Sequence, residues 1–368
     1  MLVLALVQAG IGTVSATKSS LIQAKFTGPS ANVQWQRAMK WVRENTPQNS
    51  IFVHWWDYGY WVEYLGQRPT IADGGHFQGT FRNHMIGRYV LTTPYPETAL
   101  SFMKSNNISY LLIDPTDLGK YGAYSFIGSD ETQEDRKSFI PIMLLDETKI
   151  YETKNSTIYT YYNAFQLDGD ILYKEENSTV FIPKETGGVI GVILEAKNGK
   201  SNSSFEQPKV VFISNNEQKI LPARYLYYKG KMMDFGSGLN ITLRIIPRIL
   251  NSGKGIKQSS IGAIIYLSPK TQNSLFAKLY LMDDPFNEYP TIKLAHSEPD
   301  PVVKSLQDLG AEVGDFIYYN GFRGPIKIWK VDYPSNIIAH EEFAARETDL
   351  KQRGRNWAYW DNLKFKEK

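Results

Sequence analysis

Two hydrophobic rhythms divide the chain. In the first third, apolar positions recur at helical spacing between short apolar runs. Trp35, Ala38, Met39 and Val42 fall on one stripe of 33–46, which predicts a helix stopped by Pro47. The run 50–54 predicts a short strand, 58–65 a helix closed by Gly66, and 69–72 another short strand before a Gly-rich turn at 73–75. Helical patches are expected around 82–89 and 97–105, then a strand over 110–114. From about Phe139 the texture changes to short β-type runs: STIYTYY (156–162), GVIGVILEA (188–196), KVVFIS (209–214) and SSIGAIIYLS (259–268). NSG, NGK and DGD punctuate them, as in a sandwich or barrel. Helical character returns at SLFAKLYLMDD (274–284), IKIWKV (326–331) predicts a last strand, and a charged helix is expected over 339–352.

The expected fold class is therefore an α/β core of mixed helix and strand with an additional β-rich portion. Residues 1–29 read as the end of a transmembrane helix and a linker, and 30–135 as the α/β central core. Residues 136–269 read as a β-rich insertion or peripheral domain, 270–335 as a return to the core, and 336–368 as a helical tail. The apolar start MLVLALVQAGIGTVSATKSS is too short to span a bilayer, and no basic segment precedes it as in a signal peptide. It reads as the tail of a longer spanning helix or as an ordinary buried one; the first reading makes this chain a fragment.

Composition narrows the chemistry. With 368 residues, 42% of them apolar, the chain can bury proper cores. A net charge of +3, interleaved in sign, gives no reason to expect nucleic acid. The absence of cysteine excludes disulfides, thiol catalysis and Cys zinc sites. Asn-x-Ser/Thr triplets at Asn107, Asn155, Asn177, Asn202 and Asn240 lean towards an extracytoplasmic setting. His54, His76 and His84 match no zinc spacing, GGHFQG (74–79) is not a dinucleotide motif in register, and DGD (168–170) and Asp283–Asp284 read as turns.

The most informative stretch is WWDYG, Trp55 to Gly59, at an expected strand-to-helix junction. Ligands of α/β sheets bind at the carboxyl ends of strands. Asp57 could serve as a helix N-cap, and one tryptophan could belong to the core. Neither role needs two adjacent indoles beside a carboxylate. An indole N–H only donates and an ionised carboxylate only accepts, whereas an aliphatic hydroxyl donates once and accepts twice. Two indoles and one aspartate therefore satisfy one Ser or Thr hydroxyl completely, and such a site rejects a ligand lacking it.

WWDYG resembles the signature of the oligosaccharyltransferase catalytic subunits, STT3 in eukaryotes and AglB in archaea. Flanking residues 34–61 (QWQRAMKWVRENTPQNSIFVHWWDYGYW), GQRPTIADGGHF, HMIGR, SLFAKLYLMDD and IKIWKV are similar to the same family over roughly 30–130 and 270–332. The resemblance implies the C-terminal soluble domain of a membrane enzyme, with an archaeal leaning, that transfers a lipid-linked oligosaccharide to the amide of Asn-x-Ser/Thr. It implies that Trp55, Trp56 and Asp57 read the sequon hydroxyl while Tyr58 and Gly59 set the local backbone. A second family motif, Asp-x-x-Lys with Met or Ile after three intervening residues, finds its counterpart in DLGKYGAY, giving Asp117 and Lys120. The last position is Tyr124, which puts a contact there with a threonine methyl in doubt. If the two preceding strands are parallel, Lys120 and WWDYG share one sheet edge.

By the same resemblance, the acids and the divalent metal (Mn or Mg) that drive transfer sit mostly in membrane loops outside this chain. No catalytic residue is expected here, and the chain alone is expected to be inactive. Its expected partners are the acceptor polypeptide and, through the membrane region, the lipid-linked donor, on the extracytoplasmic face of a cell membrane. Two rivals remain. One is an exported β-rich glycan-binding module that stacks sugars on aromatics of the 150–270 region; the other is a carboxylate hydrolase pairing Asp57 with a second acid. Separately, RNWAYW (355–360) reads as resting at a membrane interface or as packed on the core.

Overall fold

The computed structural model describes residues 12–21, 30–75, 79–175, 178–197, 204–252 and 255–344. The apolar start at 1–11, His76, the triplets at Asn177 and Asn202, RNWAYW and most of the expected C-terminal helix lie outside them. Among the described residues no helix is long and apolar enough to cross a membrane.

Along the chain run helix α1 (12–21), α2 (Val33–Asn45), strand β1 (Ile51–Val53), α3 (Gly59–Tyr64), α4 (Gly79–Ile86), α5 (Pro96–Ser105), β2 (Ile108–Ile113) and α6 (Asp117–Ile127). Ten β segments then follow with no α-helix among them. The first six are β3 (Ile142–Glu152), β4 (Ser156–Gln166), β5 (Ile171–Glu175), β6 (Ser178–Ile182), β7 (Gly187–Lys197) and β8 (Lys209–Ser214). After β9 (Glu217–Tyr228), β10 (Lys231–Asp234), β11 (Leu239–Ser252) and β12 (Gly255–Leu267) come a π-helical stretch, Phe276–Leu281, and β13 (Ile292–Glu298). The end comprises α7 (Pro301–Asp308), β14 (Ile317–Tyr318), β15 (Phe322–Arg323), β16 (Ile326–Val331) and α8 (Glu341–Ala344).

The strands form two principal sheets. The smaller has the order β1-β2-β16-β13, with β1 and β2 parallel and β16 antiparallel to both β2 and β13. The larger runs β10-β9-β8-β7-β4-β3-β12-β11-β14-β15, and an additional parallel pairing of β9 with β11 closes part of it into a barrel. Val189, Val192, Phe212, Leu226, Leu243 and Ile264 are buried in the core of this larger sheet. A separate core packs α2 to α6 and the π-helical stretch around the small sheet, with Met39, Phe52, Leu111, Phe276 and Ile328 all fully buried.

Local chemistry explains most helix boundaries. Asn32 caps α2 by accepting from the Trp35 amide at 3.0 Å, and Thr46 is extended because Pro47 follows it. The expected helix over 58–65 opens with a 3-10 turn, Trp56–Tyr58, and no side chain caps it, so Asp57 is not its N-cap. The expected strand at 69–72 reduces to one bridge, Phe52 to Thr70, because only Phe52 pairs with it through both backbone groups. The 274–284 segment is π-helical at Phe276–Leu281, and the expected helix over 82–89 passes from α4 into a π-helical turn, Gly87–Leu91. A Cβ on Gly87 would lie 2.4 Å from the Tyr124 carbonyl oxygen, so glycine there allows the end of α6 to dock.

Candidate acceptor-reading site

The parallel pairing of β1 and β2 places their carboxyl ends on one edge of the small sheet. From β1 the chain continues through His54 and Trp55 into the 3-10 turn and α3; from β2 it passes Asp114, Pro115 and Thr116 into α6. Gly59 makes the first turn possible by close approach. A Cβ there would sit 2.4 Å from Asp73 Cα and 2.5 Å from the Ala72 carbonyl oxygen.

Across this edge Lys120 Nζ lies 2.5 Å from Asp57 Oδ2, with side-chain exposures of 30% and 25%. The same ammonium donates to the Tyr58 hydroxyl at 2.9 Å and sits 4.4 Å from the centre of its ring. The Tyr58 hydroxyl donates to Asp117 Oδ1 at 2.8 Å, and Asp117 Oδ2 accepts the Asp114 amide at 3.0 Å. Behind them Asp114 accepts from Trp35 Nε1 (2.9 Å) and from the Thr116 amide and hydroxyl (2.8 and 2.5 Å). Lys120 is thus held by the Asp57 carboxylate at the surface and by the Tyr58 phenol below it.

Burial dominates the electrostatics. The fully buried Asp117 carboxyl is pushed up to about 7, by desolvation first and by the Asp114 charge second. Asp114 is also raised by burial, against which its Thr116 and Trp35 donors and Lys120 act. Tyr58 stays a phenol, its ionisation pushed well up by burial and then by Asp117 and Asp114. His54 is pushed down to about 4 by burial. Its neutral ring donates from Nδ1 to the Trp55 carbonyl at 2.7 Å and accepts the Thr70 hydroxyl at Nε2, 2.8 Å. His84 places Nδ1 2.7 Å from the Ile127 carbonyl.

The structure therefore brings Asp57, Tyr58, Asp117 and Lys120 into one cluster. Trp55 is 3% exposed, its ring 5.6 Å from that of Tyr124, while Trp56 is half-buried against the same core. Tyr124 is fully buried, and its hydroxyl has no hydrogen-bond partner among the described residues. The sequence alone does not place Trp35, Asp114 or Thr116 at the site. The only local signal for Asp114 is its place at a strand end three residues before Asp117; nothing local marks Trp35, which arrives from α2. Among the described residues no three His, Asp or Glu side chains converge as a metal-binding group.

Residues 48–168 match the STT3/PglB/AglB core domain. A curated relative, dolichyl-phosphooligosaccharide-protein glycotransferase 1 of Pyrococcus furiosus, is 39% identical over 103 residues. That stretch is 27% of this chain and 10% of the relative, so the chain spans about a tenth of that protein's length. Among solved structures, the C-terminal domain of PglB from C. jejuni is similar over 81% of this chain and 100% of its own, at 10% identity and a TM-score of 0.38. The oligosaccharyltransferase of Archaeoglobus fulgidus, solved with a tethered acceptor peptide containing an NVT sequon, covers 77% of this chain and 26% of its own. Its identity is 15% and its TM-score 0.36. Residues 48–168, which match the core domain of the STT3/PglB/AglB family, hold WWDYG, Asp117 and Lys120.

Proposed function

We propose that this chain reads the acceptor for an oligosaccharyltransferase, binding the Ser or Thr hydroxyl at the third position of Asn-x-Ser/Thr. The observation that carries the reading is the 2.5 Å contact between Lys120 Nζ and Asp57 Oδ2 across the carboxyl ends of two parallel strands. It fixes a partly exposed carboxylate and leaves its other oxygen to accept a hydroxyl proton. The indole N–H groups of Trp55 and Trp56 donate to the hydroxyl oxygen. Of Trp55, whose ring is buried, the reading asks no more than its N–H. Tyr58 and Asp117 position Lys120 from below, and Gly59 holds the turn.

Transfer itself is assigned to the whole membrane enzyme on the extracytoplasmic face, with a lipid-linked oligosaccharide as donor. Among the described residues no group of three His, Asp or Glu side chains could hold the divalent metal, Mn or Mg, expected of that enzyme. The chain alone is expected to bind acceptor without transferring sugar.

Binding of an Asn-x-Thr peptide and its Asn-x-Ala counterpart to the chain, followed by calorimetry, tests the reading. A buried polar group left unpaired costs ~1–3 kcal/mol, so the Ala peptide should bind roughly ten- to a hundredfold more weakly. Asp57→Ala should abolish the difference, and Lys120→Ala should reduce it. Equal binding of both peptides by the folded wild-type chain would sink the proposal.

A further inference from the structure

A second polar cluster lies where the barrel seam meets the small sheet. Arg244 on β11 pairs in parallel with Tyr227 of β9, at the contact that closes the barrel. Its guanidinium carbon lies 4.9 Å from the centre of the Tyr227 ring and 4.4 Å from that of Phe316. Cation–ring contacts of this kind hold the guanidinium in place without a carboxylate or carbonyl acceptor for its N–H groups. Arg244 is 9% exposed, and its buried Nη1 has no hydrogen-bond partner among the described residues.

Lys327 on β16, 1% exposed, faces the same Phe316 ring at 5.1 Å. Its ammonium is 2.5 Å from Asp283 Oδ1 and 3.3 Å from the Tyr280 carbonyl oxygen. The second oxygen of Asp283 accepts the Tyr227 hydroxyl at 3.3 Å. Nearby charges are engaged elsewhere: Lys278 pairs with Glu288 at 2.6 Å, and Asp284 accepts the Glu288 and Tyr289 amides. Lys327 is thus paired with Asp283, whereas Arg244 has no ion pair within 4.0 Å among the described residues and feels Asp283 and Asp315 only from further away.

We propose that Arg244, with Lys327 beside it, binds one carboxylate group from outside the described residues. The edge of a guanidinium offers parallel donors that match two carboxylate oxygens. A carboxylate would pair with Arg244 directly, as Asp283 does with Lys327. The carboxylate comes from a free small acid or from an Asp or Glu side chain of a bound polypeptide. Asp315, exposed on the loop before β14, is the chain's own competitor for the place.

The test is a titration of the chain with sodium acetate against sodium chloride at equal ionic strength. It follows the arginine Nε–H resonance that disappears in Arg244→Lys. Should that variant fail to fold, Phe316→Leu identifies the same resonance by its lost ring-current shift. The expected result is a saturable shift with acetate and none with chloride. A blocked Gly-Asp-Gly peptide acting at lower concentration than acetate, with Gly-Asn-Gly inert, would identify a polypeptide side chain; equal potency would identify free acids. No acetate-specific shift in the wild-type chain overturns the proposal, and a shift confined to Asp315→Asn does so too, by giving the place to Asp315.

Discussion

Asp117 gives the candidate site a pH signature that can be measured without any acceptor. Its carboxyl is pushed up from 3.8 to about 7, with burial as the leading cause. The folded protein then keeps a proton that the unfolded chain has released. Stability from this group is full below about pH 4 and is lost as the pH rises through about 7. A shift of about three units, at about 1.4 kcal/mol each, sets a ceiling of ~4 kcal/mol. His54 runs the other way. Pushed down from 6.5 to about 4, it contributes stability that is full above its unfolded value and lost as the pH falls through about 4. Its two to three units amount to ~3 kcal/mol, which nearly cancels the Asp117 slope between roughly pH 4 and 6.5. The informative quantity is therefore the difference between wild type and Asp117→Asn in urea unfolding, from about pH 4.5 to 8. The wild-type advantage should shrink by up to ~1.4 kcal/mol per pH unit up to about 7 and level off above it. A difference that stays constant with pH would refute the argument and leave Asp117 an ordinary buried hydrogen-bond acceptor.

Two further substitutions probe the same edge. Gly59→Ala should destabilise the fold by ~2–3 kcal/mol in thermal unfolding, since the new methyl meets the Asp73 and Ala72 backbone rather than a movable side chain; a neutral result would show that the 72–73 segment can retreat. Trp35→Phe retains most of the ring packing against Tyr58 and Trp61 but removes the 2.9 Å hydrogen bond to Asp114. It should cost ~2 kcal/mol by denaturant titration, and an unchanged midpoint would show that Asp114 does not depend on the indole.

Much of the site was legible because its chemistry is local. Trp55 to Gly59 are contiguous, Asp117 and Lys120 are one helical turn apart, and both groups follow apolar runs that read as strands. Whether they meet depended on one unknown, the relative direction of β1 and β2, and the pairing is parallel. Trp35 escaped notice because its place on the apolar stripe of α2 accounts for its ring, while its N–H partner lies across the fold at Asp114. The π-helical turns at Gly87–Leu91 and Phe276–Leu281 were illegible for a related reason. Apolar periodicity marks a helix but does not report one extra residue per turn. The barrel closure between β9 and β11 is likewise absent from the pattern, since alternation shows which face is buried and not which strand lies alongside.

The order of the small sheet carries a consequence for how the molecule is made. β2 lies between β1 and β16, and β16 pairs Lys327 with Ile113 from the far end of the chain. During synthesis from the amino terminus, the strand that delivers Asp114 and Lys120 waits with one edge bare while the whole barrel is produced and can close on its own local contacts. Only when the final strand arrives does the sheet become four strands wide. A stretch made before the barrel is thus secured only after it, and a truncation that spares every residue of the site but removes β16 should still leave it unmade.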